Sequence, residues 1–167
     1  MDQQIWHCHL KQRSLISGYF IMHTMPSRTH KNCNRGNIMR QAYCSCRQLA
    51  VVASGEPLKV SVCHCRECQR RTGSAFGVAV FYKTGQVATS GNHQAFMRLG
   101  DSGKKLEFRF CPACGSTVYW IADFRPDLVA VALGCFEDPS TVWPTQSVYE
   151  TTQLAWVSLC LQHPGKA

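Results

Sequence analysis

Seven of the eleven cysteines in this chain fall into three short clusters: Cys44-Ser45-Cys46, Cys63-His64-Cys65-Arg66-Glu67-Cys68 and Cys111-Pro112-Ala113-Cys114-Gly115. A C-x-C pair, a C-x-C-x-x-C triple and a C-x-x-C pair are metal-ligand spacings, because one short turn carries such sulfurs onto a single ion. Four sulfurs close a tetrahedral site, and three leave one coordination position for chemistry. A disulfide framework is the competing reading. It is disfavoured by the odd count, by the adjacent-but-one pairs, and by an N-terminus in which Leu15 to Met22 is broken by Ser17 and Gly18 with no small-residue cleavage site behind it. A cytoplasmic protein is expected. No apolar run approaches the ~20 residues of a membrane-spanning helix.

A chain of 167 residues suits one domain with a core. The expected organisation is an N-terminal extension over 1–38, poorly ordered, a zinc-binding domain over 39–160, and a short tail over 161–167. The formal charge of +8 is uneven. Residues 1–43 carry six basic side chains against Asp2 alone, whereas the remainder carries 12 basic and nine acidic. Metal-bound thiolates lower the core value further, so a nucleic-acid partner is not expected. His7, His9, His23 and His30 with Cys8 and Cys33 stand at irregular spacing without turn chemistry and read as tail rather than as a metal tract.

From Gln41 the pattern is one of short strands. Runs over 49–53, 58–62, 77–82, 87–90, 117–120 and 128–133 are apolar or alternating and bounded by turn residues. Leu106, Phe108 and Phe110 alternate with Glu107 and Arg109, which marks a half-buried strand preceded by a turn at Asp101-Ser102-Gly103. One helix is expected from about Cys65 to Thr72, stopped by Gly73. The fold class is therefore mainly β, held together by metal.

In the Cys111-Pro112-Ala113-Cys114-Gly115 segment, Pro112 fixes a backbone torsion after the first ligand and Gly115 permits a left-handed turn after the second. The segment supplies two ligands. Cys44 and Cys46 can supply two more, since alternate residues of a strand share a face. Cys63, Cys65 and Cys68 then form a group of three at a helix start, where partial positive charge favours thiolate. His64 is a rival fourth ligand, although its side chain should point away from those of its neighbours; a distant Cys135 could also complete the site and make every cysteine structural. Arg66, Arg70 and Arg71 are either a solvated helix face or clamps for a ligand carboxylate.

The order C-x-C, C-H-C-x-x-C, R-x-x-G-S, C-x-x-C-G, in Cys44 to Cys46, Cys63 to Ser74 and Cys111 to Ser116 with the Leu133-Gly134 pair, resembles the glutathione-dependent formaldehyde-activating enzyme family, whose domain is shared with centromere protein V. The resemblance runs over about residues 40–157. It implies an Mss-four-like β fold, a structural zinc on Cys44, Cys46, Cys111 and Cys114, and a second zinc on Cys63, Cys65 and Cys68 linked to glutathione. It also implies carbon–sulfur lyase chemistry that joins formaldehyde to glutathione. Two positions depart from the family pattern: Arg47 stands where Gly follows the first pair, and Leu154 where His precedes Ala155-Trp156.

The expected function is zinc-dependent carbon–sulfur lyase chemistry on glutathione or a related thiol and a small aldehyde, with two zinc ions per chain. The alternative is a non-enzymatic zinc module that recruits a protein or a nucleic acid. A reductase of methionine sulfoxide needs a reactive cysteine outside the clusters, and neither Cys135 nor Cys160 has the basic or helix-start setting that would activate it.

Overall fold

A computed structural model describes residues 38–161. The extension expected over 1–38 lies outside these residues except for Ile38, as does the expected tail beyond Leu161. Among the described residues the order is β1 Met39–Tyr43, β2 Ala50–Ser54, β3 Lys59–Cys63, α1 Arg66–Thr72, β4 Gly77–Lys83, β5 Val87–Ser90, β6 Gln94–Leu99, β7 Lys105–Phe110, β8 Thr117–Ala122, β9 Arg125–Ala132 and β10 Gln146–Val148. The domain is mainly β, with one short α-helix.

The strands form a three-stranded sheet, β1-β2-β5, and a seven-stranded sheet, β10-β3-β4-β9-β8-β7-β6. Neighbours are antiparallel except β10, which lies parallel to β3 and sets Val148 beside Cys63. Period-two alternation gives the large sheet two different faces. From β4, Val80 and Tyr82 pack into the main core with Leu49, Val51, Val129 and Val131. Ala79 and Phe81 turn the opposite way and join Phe108, Trp120 and Ala130 in a second cluster. The first face is sealed by the small sheet; the second floors a cavity.

Helix α1 is bounded by its own chemistry. Cys65 is the N-cap, extended at φ −60° and ψ 150°, and its sulfur accepts the Cys68 N–H at 3.4 Å. Gly73 ends the helix at φ 60°, donating its N–H to the Gln69 carbonyl, a left-handed position that glycine takes at little steric cost. Inside the helix, buried Gln69 donates to the carbonyls of His64 at 2.7 Å and Thr152 at 3.0 Å, tying α1 to the segment after β10.

Three strands, β1, β6 and β10, are additional to those read from the sequence, and the first cysteine pair differs from its expected setting. Cys44 and Cys46 lie in a turn after β1 rather than along a strand. Arg47 adopts φ 63°, its N–H donates to the Cys44 carbonyl at 2.9 Å, and the Leu49 N–H reaches the Cys44 sulfur at 3.2 Å. The sulfurs converge because the chain reverses around them, not because alternate residues share a strand face.

Candidate functional site

Two turns of the same kind build the first cluster. In the second of them the Cys111 N–H donates to the Ser116 carbonyl at 3.0 Å, the Gly115 N–H donates to the Cys111 carbonyl at 2.8 Å, and Gly115 sits at φ 74°. The turns are joined through Ser116, whose hydroxyl accepts the Ser45 N–H at 3.2 Å and lies 2.9 Å from the Ser45 hydroxyl. The sulfurs of Cys44, Cys46, Cys111 and Cys114 all lie within 4.8 Å of one another, with Cys44–Cys46 at 3.5 Å and Cys46–Cys111 at 3.6 Å. A disulfide needs ~2.05 Å. A tetrahedral ion with ligands at ~2.3 Å sets its sulfurs ~3.8 Å apart, so this donor set can hold a metal such as zinc. Hydrogen bonds from the Ser116 hydroxyl and N–H hold Cys114 at about 5.

The second cluster joins the end of β3 to the start of α1. Cys63, Cys65 and Cys68 are each half-buried, and their sulfurs lie within 4.8 Å of one another. Hydrogen bonding from Cys63, helped by Cys65 and the Arg71 guanidinium, holds Cys68 at about 6 although burial opposes it. The same shared hydrogen bond with Cys68, together with burial, pushes Cys63 above the ordinary thiol range. Three adjacent thiolates repel one another, and a bound cation relieves that repulsion. Among the described residues no fourth Cys, His, Asp or Glu joins the group.

His64 and Cys135, the two rival ligands, both lie elsewhere. The His64 ring is fully buried, 5.6 Å from the Phe76 ring, and neither ring nitrogen has a hydrogen-bond partner. Cys135 donates to the Thr117 carbonyl at 3.6 Å and packs against the main core. Burial pushes its thiol up to about 11, with charge on Cys44 and Cys114 adding to the effect.

Cys63, Cys65 and Cys68 all line a cavity of about 570 Å³ on the face of the large sheet opposite the main core. Lys59, Arg71, Arg98, Lys104 and Arg125 line it, with Asp101 as the only carboxylate among its lining residues. Of the three arginines proposed from the helix pattern, Arg71 alone lines this cavity. Its guanidinium carbon stands 4.5 Å from the Trp120 ring centre and 5.5 Å from that of Phe108. Arg66 bonds to Gln69 and Arg70 pairs with Glu67, both at exposed positions on α1.

Sequence reading missed Tyr149. It lines the cavity just after β10 and holds a left-handed backbone at φ 59°. A hydrogen bond to Asp101 pushes its phenol up, and charge on Cys63 and Cys65 adds to this. Strained non-glycine positions concentrate at functional sites. Nothing in the local sequence marks this one, because it depends on a three-residue parallel strand.

The sequence model described as glutathione-dependent formaldehyde-activating enzyme matches residues 39–152. Among solved structures, the chain is similar to a Rhodobacter sphaeroides protein known from its crystal structure. The two are 16% identical, the match covers 65% of this chain and 99% of the other, and the TM-score is 0.49. No curated protein matches the chain.

Proposed function

The chain belongs to the glutathione-dependent formaldehyde-activating enzyme family, and from that membership we propose that it joins glutathione or a related thiol to an aldehyde at Cys63, Cys65 and Cys68. The observation that carries this reading is a trio of cysteines with no fourth protein donor among the described residues, lining a cationic cavity. We assign Cys44, Cys46, Cys111 and Cys114 to a structural zinc and the trio to a second one. Zinc held by Cys63, Cys65 and Cys68 would supply a Lewis-acid position that keeps an external thiol ionised at neutral pH.

The chain's own residues do the rest. Arg71 lines the cavity while lowering the pKa of Cys68, so one guanidinium both offsets thiolate charge and meets a ligand carboxylate. Lys104 and Arg125 suit the two carboxylates of glutathione, and Asp101 suits its ammonium. Arg66 and Arg70, anchors proposed from sequence, would take part only by swinging away from Gln69 and Glu67. In the reaction the thiolate sulfur bonds to the carbonyl carbon, the C=O π pair moves to oxygen, and the alkoxide takes up from solvent a proton equivalent to the one released when the thiol ionised. Nothing is oxidised. With formaldehyde the product is S-hydroxymethylglutathione, and the reverse direction is carbon–sulfur lyase chemistry.

Calorimetric titration of reduced glutathione into zinc-loaded protein tests the reading. Saturable binding that disappears in Cys65→Ser supports it; no binding to a folded protein holding two zinc ions overturns it. The alternative, a non-enzymatic module, would then lead. It is favoured by strand β6, which edges the large sheet with Phe96, Met97 and Leu99 all exposed. No helix among the described residues is long and apolar enough to cross a membrane, and we place the protein in the cytoplasm.

A further inference from the structure

The cavity floor changes character along β4. Gly77 faces Cys63 across the β3–β4 ladder, Ala79 faces Ser61 two residues further on, and Phe81 faces Lys59 after two more. Glycine leaves room at the first step: a Cβ there would stand 2.9 Å from the Arg71 guanidinium, which would have to move aside, and 3.4 Å from the Cys68 Cβ. In the last row Phe81 pairs with Ala130, Ala130 with Trp120, and Trp120 with Phe108. A small residue thus lies between aromatic rings on both sides. The result is a slot that begins at the sulfurs, passes over Gly77 and Ala79, and ends above Ala130 between Phe81 and Trp120.

Its length and lining restrict what can fill it. Four residues of strand separate the Gly77 row from the Phe81 row, ~13 Å at ~3.3 Å per residue. A one-carbon group bonded to a thiol sulfur cannot reach that far. The peptide amides of a thiol such as glutathione find partners in Arg71, Ser61 and Gln146 over the first part of the slot, but beside Ala130 the neighbouring side chains of Phe81, Trp120 and Leu128 are apolar and the strand amides are engaged in the ladder. Burying unpaired amides is costly. Cations flank the aromatic rings: Lys59 stands 4.8 Å from the Phe81 ring centre, Arg98 5.5 Å from that of Phe108 and Arg71 4.5 Å from that of Trp120. Phe124, 54% exposed at the β8–β9 turn, adds an apolar rim to the cavity.

We propose that this slot takes a flat apolar group ending in an anion, so that the aldehyde handled at the trio is an aryl carboxylate-bearing aldehyde rather than a one-carbon one. The inference rests on the trio being the thiol site. The covalent step is unchanged: the thiolate sulfur bonds to the carbonyl carbon, the π pair moves to oxygen, and the alkoxide takes up a proton from solvent.

Naphthoate, which has neither thiol nor carbonyl to react, reads the slot directly. Calorimetry on the zinc-loaded protein is expected to find it bound at least about tenfold more tightly than acetate, from burial of the ring. Ala130→Leu, whose side chain would fill the slot, should remove that advantage. Nuclear Overhauser contacts from the naphthoate ring to Trp120 and Phe81 locate the probe without any variant. Acceleration of glutathione addition over the spontaneous rate should be at least about tenfold larger for terephthalaldehydic acid than for formaldehyde. Naphthoate binding no tighter than acetate, contacts away from Trp120, or equal accelerations would overturn the proposal. Glutathione titrated in parallel keeps the two readings apart. Glutathione binding without naphthoate binding removes the slot alone, whereas naphthoate binding without glutathione binding keeps the slot as a binding site but overturns both the thiol reading and the aldehyde assignment that rests on it.

Discussion

Arg47 occupies a left-handed position, φ 63°, directly after the first cysteine pair, a conformation that glycine takes at less steric cost. A side chain there costs about 1 kcal/mol. Arg47 offsets part of it by stacking 4.5 Å from the Tyr43 ring centre and pairing with Glu137 at 2.6 Å, although that exposed pair contributes little. Arg47→Gly is therefore expected to leave stability within about 0.5 kcal/mol, because relief of strain is balanced by the lost contacts and a freer unfolded chain. Arg47→Val should lose about 1–2 kcal/mol, since a β-branched side chain fits this region worst. Denaturant melts of the zinc-loaded variants check both. The sulfurs offer a second test at this scale. With Cys68 held at about 6 and Cys63 pushed above the usual thiol range, metal-free protein at pH 7 carries its thiolate on Cys68. Iodoacetamide followed by peptide mapping should label Cys68 well before Cys63; the reverse order would contradict the hydrogen-bond assignment.

Elements differ in how plainly they could be read from sequence, and the reason is exposure. Strand β4 buries alternate residues on two different cores, so its apolar run stands out, as does β7 with its Leu106, Phe108 and Phe110 stripe. Strand β6 is exposed at five of its six positions and carries no period, while β10 is three residues long. The helix was legible because its two ends, Cys65 and Gly73, are local signals. The turn holding Cys44 and Cys46 was misread as extended because Arg47 hides the glycine that would have announced it. The cavity could not be read at all, since it is assembled from strands far apart in the chain. One close approach between elements yields a sharp expectation. After β5, Gly91 lies at φ 91°, and a Cβ there would stand 1.8 Å from the Gln48 carbonyl oxygen. Gly91→Ala must push back the turn that carries Cys46, and should destabilise the domain by about 3 kcal/mol or more. Urea unfolding of the variant measures this, and a loss below about 1 kcal/mol would contradict the close approach.

At the scale of the whole molecule the two cysteine clusters stand in different settings. Cys44, Cys46, Cys111 and Cys114 lock two turns together beside the main core, which includes buried Cys44 and Cys111. Cys63, Cys65 and Cys68, at the end of β3 and the start of α1, line the cavity outside that core. Cys111→Ser is therefore expected to abolish cooperative folding, because metal binding there is folding free energy. Cys65→Ser should melt within a few degrees of the parent while losing one of its two zinc ions. Circular dichroism melts with metal analysis decide this, and equal thermal stability of the two variants would contradict the division of labour. The central claim, that the trio offers its metal an open position to an external thiol, is tested most directly by zinc K-edge absorption before and after adding reduced glutathione. The account predicts a light-atom shell that gives way to sulfur at ~2.3 Å when glutathione is added, in the parent protein but not in Cys65→Ser. An unchanged spectrum, all sulfur from the start or with its light-atom shell intact at saturating glutathione, would contradict it.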